Sequence, residues 1–266
     1  MLLSDRVAIV TGGATGIGRA IGLKMAEQGA NILVSDINND AAERTAEEMR
    51  SLGVKAEVQV TNVTESAATE AMAAAALKHF GRIDILVNNA GVAGATGWYT
   101  RPASTEEDWK FTNRVNVIGS VNAANAVTPY MRKARYGKIL NLASIAGREG
   151  RPSLPHYSAS KSAIISYTQS LAGELALDNI NVNAICPGLL WTPMWEQVGG
   201  RYAQNDPQYA GLPPREVFEK MIAARIPMQQ EQTPEDIGDA AVFLCSDYAT
   251  NVTGQALNVD GGFFMR

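Results

Sequence analysis

The sequence has little cysteine and little histidine, with two of each among its 266 residues. Cys186 and Cys245 lie far apart, and neither belongs to a Cys-x-x-Cys pair. This spacing supports neither a zinc site nor a disulfide framework. We interpret both cysteines as small buried hydrophobic side chains in a reducing, cytoplasmic compartment, and we expect no metal cofactor.

The sequence also lacks an excess of positive charge and a long apolar run. Its net charge is −4 and its pI is about 5.3, so it has no field that would attract nucleic acid or an acidic membrane surface. The longest apolar run is 71–77, well short of the roughly 20 residues of a membrane-spanning helix. Asp5 and Arg6 precede any long apolar segment, which argues against a signal peptide. We therefore expect neither a nucleic-acid partner nor a membrane partner.

Short runs rich in valine and isoleucine alternate with longer helical patterns, which is typical of an α/β protein. These runs are almost wholly apolar, as expected for strands covered by helices on both faces. The pattern predicts a Rossmann-type, doubly wound parallel seven-stranded sheet in a single domain spanning 1–266. The predicted strands are 7–10, 31–35, 56–60, 83–87, 138–142, 181–185 and 256–259.

Helical patterns lie between these strands, and Thr64 and Thr233 are predicted to provide N-terminal caps. The predicted helices are 16–28, 39–52, 65–80, 106–134, 155–177 and 234–246. The stretch of about 188–227 follows neither pattern and is rich in proline and aromatic residues. A long irregular segment of this kind is more often functional than neutral, so we interpret it as a substrate lid.

A glycine-rich turn follows the first predicted strand directly and leads into a helix. Its sequence runs from Thr11 to Gly18 as Thr-Gly-Gly-Ala-Thr-Gly-Ile-Gly. Glycines allow the backbone to approach a pyrophosphate, whose charge is stabilised by the helix N-terminus. A Walker-type phosphate loop is excluded because Arg19 and Ala20 replace the required Lys and Ser/Thr. The alternative is an ordinary glycine turn with no ligand.

Asp36 stands at the end of the second predicted strand, where a carboxylate can accept hydrogen bonds from the adenosine ribose. It would also repel the 2′-phosphate of NADP. Thr15, Ile37 and Asn38 offer no positive charge to hold that phosphate. The sequence therefore favours NAD over NADP, although Asp36 could equally serve as a cap for the turn ahead of Asn38.

Tyr157 and Lys161 are separated by four positions and so lie on one face of a predicted helix. An ammonium about 5 Å from a phenol favours the phenolate by roughly 3 kcal/mol, on the order of two pKa units before desolvation opposes it. We therefore expect Lys161 to lower the pKa of Tyr157, which could then exchange a proton with an alcohol or carbonyl oxygen. An isolated Tyr-x-x-x-Lys pair is weak support, because such pairs occur on many solvated helices.

Further polar residues follow the predicted strands, where ligands bind in open parallel sheets. Ser144 follows the fifth strand, and Asn88-Asn89-Ala90-Gly91 follows the fourth. Asn116 lies within a helical pattern. Together with the glycine turn, Tyr157-x-x-x-Lys161 and Pro187-Gly188, these motifs resemble the short-chain dehydrogenases/reductases over essentially the whole chain.

That resemblance implies roles for individual residues. Tyr157 would be the acid/base, Ser144 would hydrogen-bond the reacting oxygen, and Lys161 would tune the phenol and hold the nicotinamide ribose. Asn116 would complete a water-linked proton relay, Thr192 would bind the nicotinamide carboxamide and Asn88 would pack at the adenosine side. The expected NAD-binding residues are Gly12, Thr15, Gly16, Ile17, Gly18, Asp36, Ile37, Asn62, Val63, Asn89, Ala90, Gly91, Tyr157, Lys161, Pro187, Gly188 and Thr192.

The sequence departs from the family pattern at Asn62-Val63, where relatives often carry an aspartate that binds the adenine amine. An amide oxygen can accept the same hydrogen bond, so we expect altered adenine contacts and not their loss.

The substrate-contacting residues are expected in the lid and in the loop after Asn-Asn-Ala-Gly. The candidates are Trp98, His156, Trp191, Met194 and Trp195. Arg148 and Arg151 lie between Ser144 and Tyr157 and would suit an anionic substrate, but surface arginines paired with Glu149 or with water are the simpler interpretation.

The leading functional hypothesis is an NAD-dependent dehydrogenase of a small secondary alcohol, diol or polyol. One alternative is an NADPH-dependent 3-oxoacyl thioester (acyl-carrier-protein) reductase, against which Asp36 and the bulky lid argue. Another is a non-catalytic NAD-binding sensor or scaffold. The family resemblance also implies a homo-oligomer, a dimer or tetramer built through the helices 106–134 and 155–177 and the C-terminal strand.

Overall fold

The computed structural model describes residues 1–265, in which seven strands form one parallel sheet in the order β3-β2-β1-β4-β5-β6-β7. After β3 the chain crosses to the other half of the sheet, where β4 pairs with β1. The carboxyl ends of β1 and β4 border the crevice where ligands bind in such folds. The strands are β1 Val7–Thr11, β2 Asn31–Asp36, β3 Ala56–Val60, β4 Ile85–Asn88, β5 Gly137–Leu142, β6 Ile180–Pro187 and β7 Ala256–Val259. The predicted fold class, an α/β doubly wound Rossmann-type sheet, is confirmed.

Nine α-helices cover the two faces of the sheet within residues 1–265. They are α1 Gly16–Glu27, α2 Asn39–Ser51, α3 Ser66–Phe80, α4 Glu106–Asn113, α5 Gly119–Ala134, α6 Pro155–Leu175, α7 Pro193–Asn205, α8 Pro214–Arg225 and α9 Pro234–Cys245. Each strand residue contributes to one layer or the other: Ala8 and Val10 pack on the layer that includes α1 and α9, whereas Ile9 packs on the layer of α3 and α5. Both faces of the sheet are therefore apolar, which explains why polar residues do not alternate along β1.

The segment predicted as one helix over 106–134 is interrupted. A π-helical turn, Arg114–Ile118, separates α4 from α5 and carries the buried Asn116. Wide turns of this kind often occur at functional sites, and the periodicity of the sequence did not predict this one.

The two predicted helix caps have different outcomes. Thr233 caps α9 in a capping box with Asp236, as predicted. The prediction for Thr64 is wrong, because its hydroxyl donates to Asn62 Oδ1 at 2.9 Å and Glu65 occupies the cap position of α3.

The segment predicted as a lid is not irregular, because it contains α7 and α8. These helices have an apolar cluster of their own, apart from the two clusters that cover the sheet. Its buried members are Trp195, Tyr209, Val217, Phe218, Met221, Ile222 and Ile226.

A buried arginine fastens the lid to the body of the protein. The Arg201 side chain on α7 is 8% exposed, and its guanidinium donates to the carbonyl oxygens of Trp98, Arg101 and Pro102. Three acceptors from one loop compensate for taking the guanidinium out of water. No helix within residues 1–265 has the length and apolar character needed to cross a membrane.

We predict that Arg201→Met loosens the lid, since three carbonyl groups of the 98–102 loop lose a donor. The free energy of unfolding should fall by about 1–3 kcal/mol. Hydrogen exchange measured by mass spectrometry should accelerate in both 193–205 and 98–102. Arg44→Met, at an exposed position on α2, is the control. Unchanged exchange in both segments would show that Arg201 does not fasten the lid.

Candidate active site

The glycine turn at the end of β1 has the conformation that phosphate binding requires. Gly12 and Gly16 have φ values of +61° and +55°, a region that other residues adopt at a cost. A Cβ at Gly18 would collide with the Gly12 carbonyl, whereas a Cβ at Gly16 would meet no atom within 4 Å. Gly18 thus allows the helix to pack tightly on the turn, and Gly16 presents open backbone to the space beyond it.

The first turn of α1 is left available for an anion. Thr15 occupies the cap position in an extended conformation, but within the described chain its side chain makes no capping hydrogen bond. The N–H groups at a helix N-terminus carry partial positive charge and bind anions readily.

The end of β4 is tied directly to the glycine turn by Asn89. Its side-chain amide donates to the carbonyl oxygens of Thr11 at 3.0 Å and Gly12 at 2.9 Å. The Thr11 hydroxyl in turn accepts from the backbone N–H groups of Asn89 and Ala90. The adenosine-side position expected for Asn88 is therefore taken by Asn89. Asn88 points into the sheet, because its amide donates to Asn141 Oδ1 at 2.9 Å.

Asp36 lies at the end of β2, beside the glycine turn. One carboxylate oxygen accepts from the N–H of Ala14 at 3.1 Å, and the other accepts from the N–H of Asn38 at 3.0 Å. The alternative role as a turn cap is therefore observed. Each carboxylate oxygen retains acceptor capacity, so the cap role is compatible with ribose binding. The neighbouring Ile37 is 74% exposed.

Lys161 and Tyr157 lie together on α6 at the ends of β4 and β5. Lys161 Nζ donates to the Leu142 carbonyl oxygen at 2.6 Å and lies 5.7 Å from the centre of the Tyr157 ring. The Ser144 hydroxyl, at the end of β5, hydrogen-bonds the phenol and also accepts from the N–H of Ala146 at 3.1 Å.

The expectation that Lys161 lowers the pKa of Tyr157 is wrong for the chain by itself. Burial raises the pKa of Tyr157 to about 12, and the hydrogen bond from Ser144 opposes this only in part. Burial likewise lowers the pKa of Lys161 to about 8. Both shifts disfavour the charged form, so desolvation outweighs the attraction on which the sequence argument relied.

Asn116, in the π-helical turn, is fixed by three side-chain hydrogen bonds. Its Oδ1 accepts from the N–H of Val92 at 2.8 Å, and its amide donates to the Val92 carbonyl oxygen and to Ser160 Oγ, both at 3.0 Å. Asn116 and Lys161 both lie beside Gly91. The π-helical turn thus holds the loop after β4 against α6.

A cavity of about 660 Å³ connects these features. Most residues expected to bind cofactor or to act in catalysis line its wall: Gly12, Thr15, Gly16, Ile17, Asp36, Ile37, Asn62, Val63, Asn89, Ala90, Gly91, Ser144, Tyr157, Lys161, Pro187, Gly188 and Thr192. Gly18 and Asn116 support the wall from behind. Met194 and Trp195 line the lid side of the cavity.

Three of the five expected substrate contacts do not line this cavity. Trp98 is buried beside Ala93 and Leu154. Trp191 packs against Phe218, with their ring centroids 5.3 Å apart. These side chains hold the lid and the loop in place, as apolar aromatic groups do when a core can cover them.

His156 is the third of these residues. It follows Pro155 at the start of α6, and its ring bonds the Ala93 carbonyl oxygen at 2.6 Å and Ser104 Oγ at 2.9 Å. Burial lowers its pKa. Both ring nitrogens are engaged within the protein, so His156 supports the loop and does not face the cavity.

Asn62 has its side chain engaged in a local turn. Its Oδ1 accepts from the N–H and the hydroxyl of Thr64, at 3.2 and 2.9 Å, and its amide donates to Glu65 Oε1 at 2.6 Å. Asn62 still lines the cavity, but its oxygen is already shared between two donors.

Two supporting residues were missed by sequence reasoning. Ser160, the partner of Asn116, lies inside the Tyr-x-x-x-Lys motif, and its spacing from Tyr157 was a usable signal. Gln232 accepts from the N–H of Gly188 at 3.1 Å and donates to the Val259 carbonyl oxygen. No local pattern marks Gln232, because it lies 44 residues from Gly188.

The arginines that precede α6 are partly explained by the simpler interpretation. Arg151 pairs with Glu149, with Nη1 and Oε2 3.2 Å apart. Arg148 is not a surface residue paired with an acid, since it donates to Asn258 Oδ1 and to the Ala256 carbonyl oxygen. No group of three or more potential metal ligands occurs among residues 1–265, and both cysteines are free and buried.

Comparison with known proteins places this architecture in a family. Residues 12–264 match the family model described as enoyl-(acyl carrier protein) reductase. The chain is 38% identical to galactitol 2-dehydrogenase of Agrobacterium fabrum, with all of both chains covered. It is 36% identical to 3-oxoacyl-(acyl-carrier-protein) reductase FabG of Thermotoga maritima, with 98% of this chain and 99% of the relative covered.

A solved structure agrees with these relatives. The crystal structure of NAD⁺-bound xylitol dehydrogenase superposes with a TM-score of 0.91 at 35% identity, covering 98% of this chain and all of the other. The chain belongs to the short-chain dehydrogenase/reductase family and is an oxidoreductase that acts on a small-molecule substrate.

The lowered pKa of Lys161 predicts how stability depends on pH. The pKa of Lys161 is 10.5 in the unfolded chain and about 8 in the folded chain. Between these values the unfolded state binds more protons, so the contribution of Lys161 to stability rises with pH. The unfolding free energy of wild type minus that of Lys161→Met should therefore increase from pH 8 to pH 10.

Urea unfolding at each pH measures this difference. Lys133→Met, which removes an exposed lysine from α5, should give a difference that stays flat over the same range. A flat or falling difference for Lys161→Met would mean that its pKa is not lowered by folding.

Proposed function

We propose that this protein is an NAD-dependent dehydrogenase that oxidises a small secondary alcohol, diol or polyol to its ketone. The observation that carries the cofactor choice is the Asp36 carboxylate at the cavity wall beside the glycine turn. A carboxylate there accepts from the ribose hydroxyls of NAD and repels the 2′-phosphate of NADP. Arg19, which directly follows the glycine turn, is paired with Glu48 on α2.

The residues present fit a dinucleotide. The open backbone at Gly16 and the first turn of α1 suit a pyrophosphate. Asn62 and Val63 would border the adenine, and Asn89 would border the adenosine. At the other end of the cavity, Lys161, Pro187, Gly188 and Thr192 would hold the nicotinamide riboside, with Thr192 already fixed as the cap of α7.

When bound, NAD supplies the carbon that accepts a hydride from the alcohol. Tyr157 takes the hydroxyl proton as the carbonyl forms, and the Ser144 hydroxyl hydrogen-bonds the same oxygen. With a pKa of about 12 in the chain by itself, Tyr157 carries its proton at neutral pH. In this proposal the loaded site must favour the phenolate more than the chain by itself does, and the Lys161 bond to the Leu142 carbonyl oxygen keeps the ammonium close to the phenol.

Asn116 has a positioning role in this proposal. Both of its amide hydrogens are used within the protein, and its oxygen retains one lone pair. That lone pair faces the region of Gly91 and Lys161 and would accept from the water that carries the proton away from Lys161.

The 36% identity to a 3-oxoacyl-(acyl-carrier-protein) reductase supports a second candidate, an NADPH-dependent reductase of a 3-oxoacyl thioester. A non-catalytic NAD-binding sensor is the third. NADH absorbance distinguishes the three candidates. It is recorded for the purified protein with each cofactor and with polyols, diols, hydroxy acids and 3-oxoacyl thioesters. The proposal fails if NADP(H) is preferred or if no alcohol is oxidised.

Self-association is also part of the proposal. Phe111, Ile118 and Tyr130 lie along α4, the π-helical turn and α5, and each is more than 40% exposed. Apolar side chains exposed along these consecutive helical segments support an interface between copies of this chain, as a dimer or tetramer.

Tyr157→Phe should bind NAD as wild type does and lose turnover by roughly 10²–10⁴-fold, because the ring remains and only the proton-transferring hydroxyl is removed. Fluorescence titration with NADH measures binding, and NADH absorbance measures turnover. Phe263→Leu, a change in a non-ionisable cavity residue, is the control for a general disturbance of the site. Turnover retained by Tyr157→Phe would mean that another group transfers the proton.

Asp36→Ala should narrow the preference for NAD over NADP by roughly ten- to hundredfold, since one or two charge-assisted contacts contribute about 1.5–3 kcal/mol. This preference is measured as the ratio of kcat/KM with NAD to kcat/KM with NADP. Asp40→Ala removes a nearby carboxylate at an exposed position on α2 and should leave the ratio unchanged. If Asp36→Ala also left the ratio unchanged, Asp36 would not select the cofactor.

A further inference from the structure

A second cavity of about 600 Å³ lies beside the main cavity. Four residues line both spaces: Arg151, Ser153, Tyr202 and Arg225. Arg151 and Ser153 shortly precede α6, which carries Tyr157, and the N–H of Arg151 donates to Ser158 Oγ, on the residue next to Tyr157. Two arginine side chains, Arg151 and Arg225, line the same cavity as Tyr157.

The charge of the main cavity is unevenly distributed. Asp36, beside the glycine turn, is the one acidic residue on the cavity wall among residues 1–265. Arg151, Lys161 and Arg225 carry positive charge at the end where substrate binds. A cavity region with one sign of charge attracts a ligand of the opposite sign.

Arg151 has hydrogen-bonding capacity that the protein does not use. Its Nη1 pairs with Glu149, whose side chain is 57% exposed, and its guanidinium lies 4.7 Å from the centre of the Phe263 ring. Its Nη2 is buried and has no hydrogen-bond partner in the part of the chain that the structure describes. A buried donor without an acceptor is unfavourable, and an anionic ligand would supply the acceptor after a small rotation of the guanidinium.

Arg225 ends α8 and is exposed. Within residues 1–265 its side chain makes neither a hydrogen bond nor an ion pair. Two arginines nearby differ from it: Arg201 is committed to three carbonyl oxygens, and Arg215 is paired with Glu219 and Glu231. Arg225 therefore keeps its full set of donors for a ligand.

Neutral donors stand beside the two guanidinium groups. Ser153 Oγ and Tyr202 Oη lie 3.1 Å apart and share one hydrogen bond. Hydroxyl groups and guanidinium groups together are the donors with which proteins bind carboxylate and phosphate oxygens.

We propose that Arg151 and Arg225, with Ser153 and Tyr202, form an oxyanion-binding subsite for the substrate. The substrate is then a secondary alcohol that also carries a carboxylate or phosphate group, and not a neutral polyol. This inference rests on the proposed function for the reaction at Tyr157, but the binding of an anion at the subsite can be measured without turnover.

The test is isothermal titration calorimetry with malonate and with inorganic phosphate, both in excess NAD so that the glycine turn is covered. Wild type should bind at least one of the two, and the tighter probe identifies the carboxylate or the phosphate as the group. Arg225→Gln and Arg151→Gln should each weaken that binding roughly ten- to hundredfold. Lys220→Gln, an exposed charge on the same helix, should bind as wild type does.

Kinetics on a matched series completes the test: a polyol, its aldonate and its phosphate ester. In Arg225→Gln, kcat/KM should fall roughly ten- to hundredfold more for the anionic members than for the polyol, with partial rescue in Arg225→Lys. Because Arg225 is exposed, this variant should fold even if Arg151→Gln does not.

The outcomes separate the two proposals. If neither anion binds, or if all variants bind the anion equally well, the proposed subsite is overturned, even when alcohols are oxidised with NAD. Binding that depends on the arginines, with no alcohol oxidised, supports the subsite and overturns the proposed dehydrogenase.

Discussion

The hydrogen bonds from the Asn89 amide to the carbonyl oxygens of Thr11 and Gly12 fasten the two halves of the site together. They hold the end of β4 on the glycine turn after β1, at the point where the strand order reverses. Gly91, two residues further on, lies against Asn116 and Lys161. The phosphate-binding turn and the proton-transferring residues are therefore positioned by one short segment, and a shift of β4 would displace both.

Burial is the second constraint on the site. It holds Tyr157 and Lys161 close together but disfavours the charged form of each. A low-dielectric environment strengthens the attraction between ammonium and phenolate and also raises the cost of forming either ion. At neutral pH a pKa of about 12 leaves the Tyr157 phenol protonated, whereas a pKa of about 8 leaves Lys161 mostly charged. The site therefore presents an uncharged phenol, with Ser144 beside it and an ammonium nearby, to a reacting oxygen.

Three arginines in and beside the lid have different roles. The Arg201 guanidinium donates to backbone carbonyl oxygens and so joins α7 to the loop after β4. Arg151 and Arg225 line both cavities and have donors without an acceptor among residues 1–265. The same residue type is structural in the first case and suited to a ligand in the second. The difference lies in how many donors already have acceptors: Arg201 bonds three carbonyl oxygens, whereas within residues 1–265 Arg151 Nη2 has no partner although Nη1 pairs with Glu149.

Much of the fold and most of the cavity wall followed from the sequence alone. Apolar strand runs, the glycine turn, Asp36 and the Tyr157-x-x-x-Lys161 spacing are local patterns, and local patterns report backbone geometry and the faces of helices. Only the tertiary structure decided which of two adjacent asparagines reaches the glycine turn. It also decided whether burial or charge controls the pKa of Tyr157, and which lid aromatics and arginines face the cavity. These depend on contacts between residues far apart in the chain, on which a pattern of neighbouring residues carries no information.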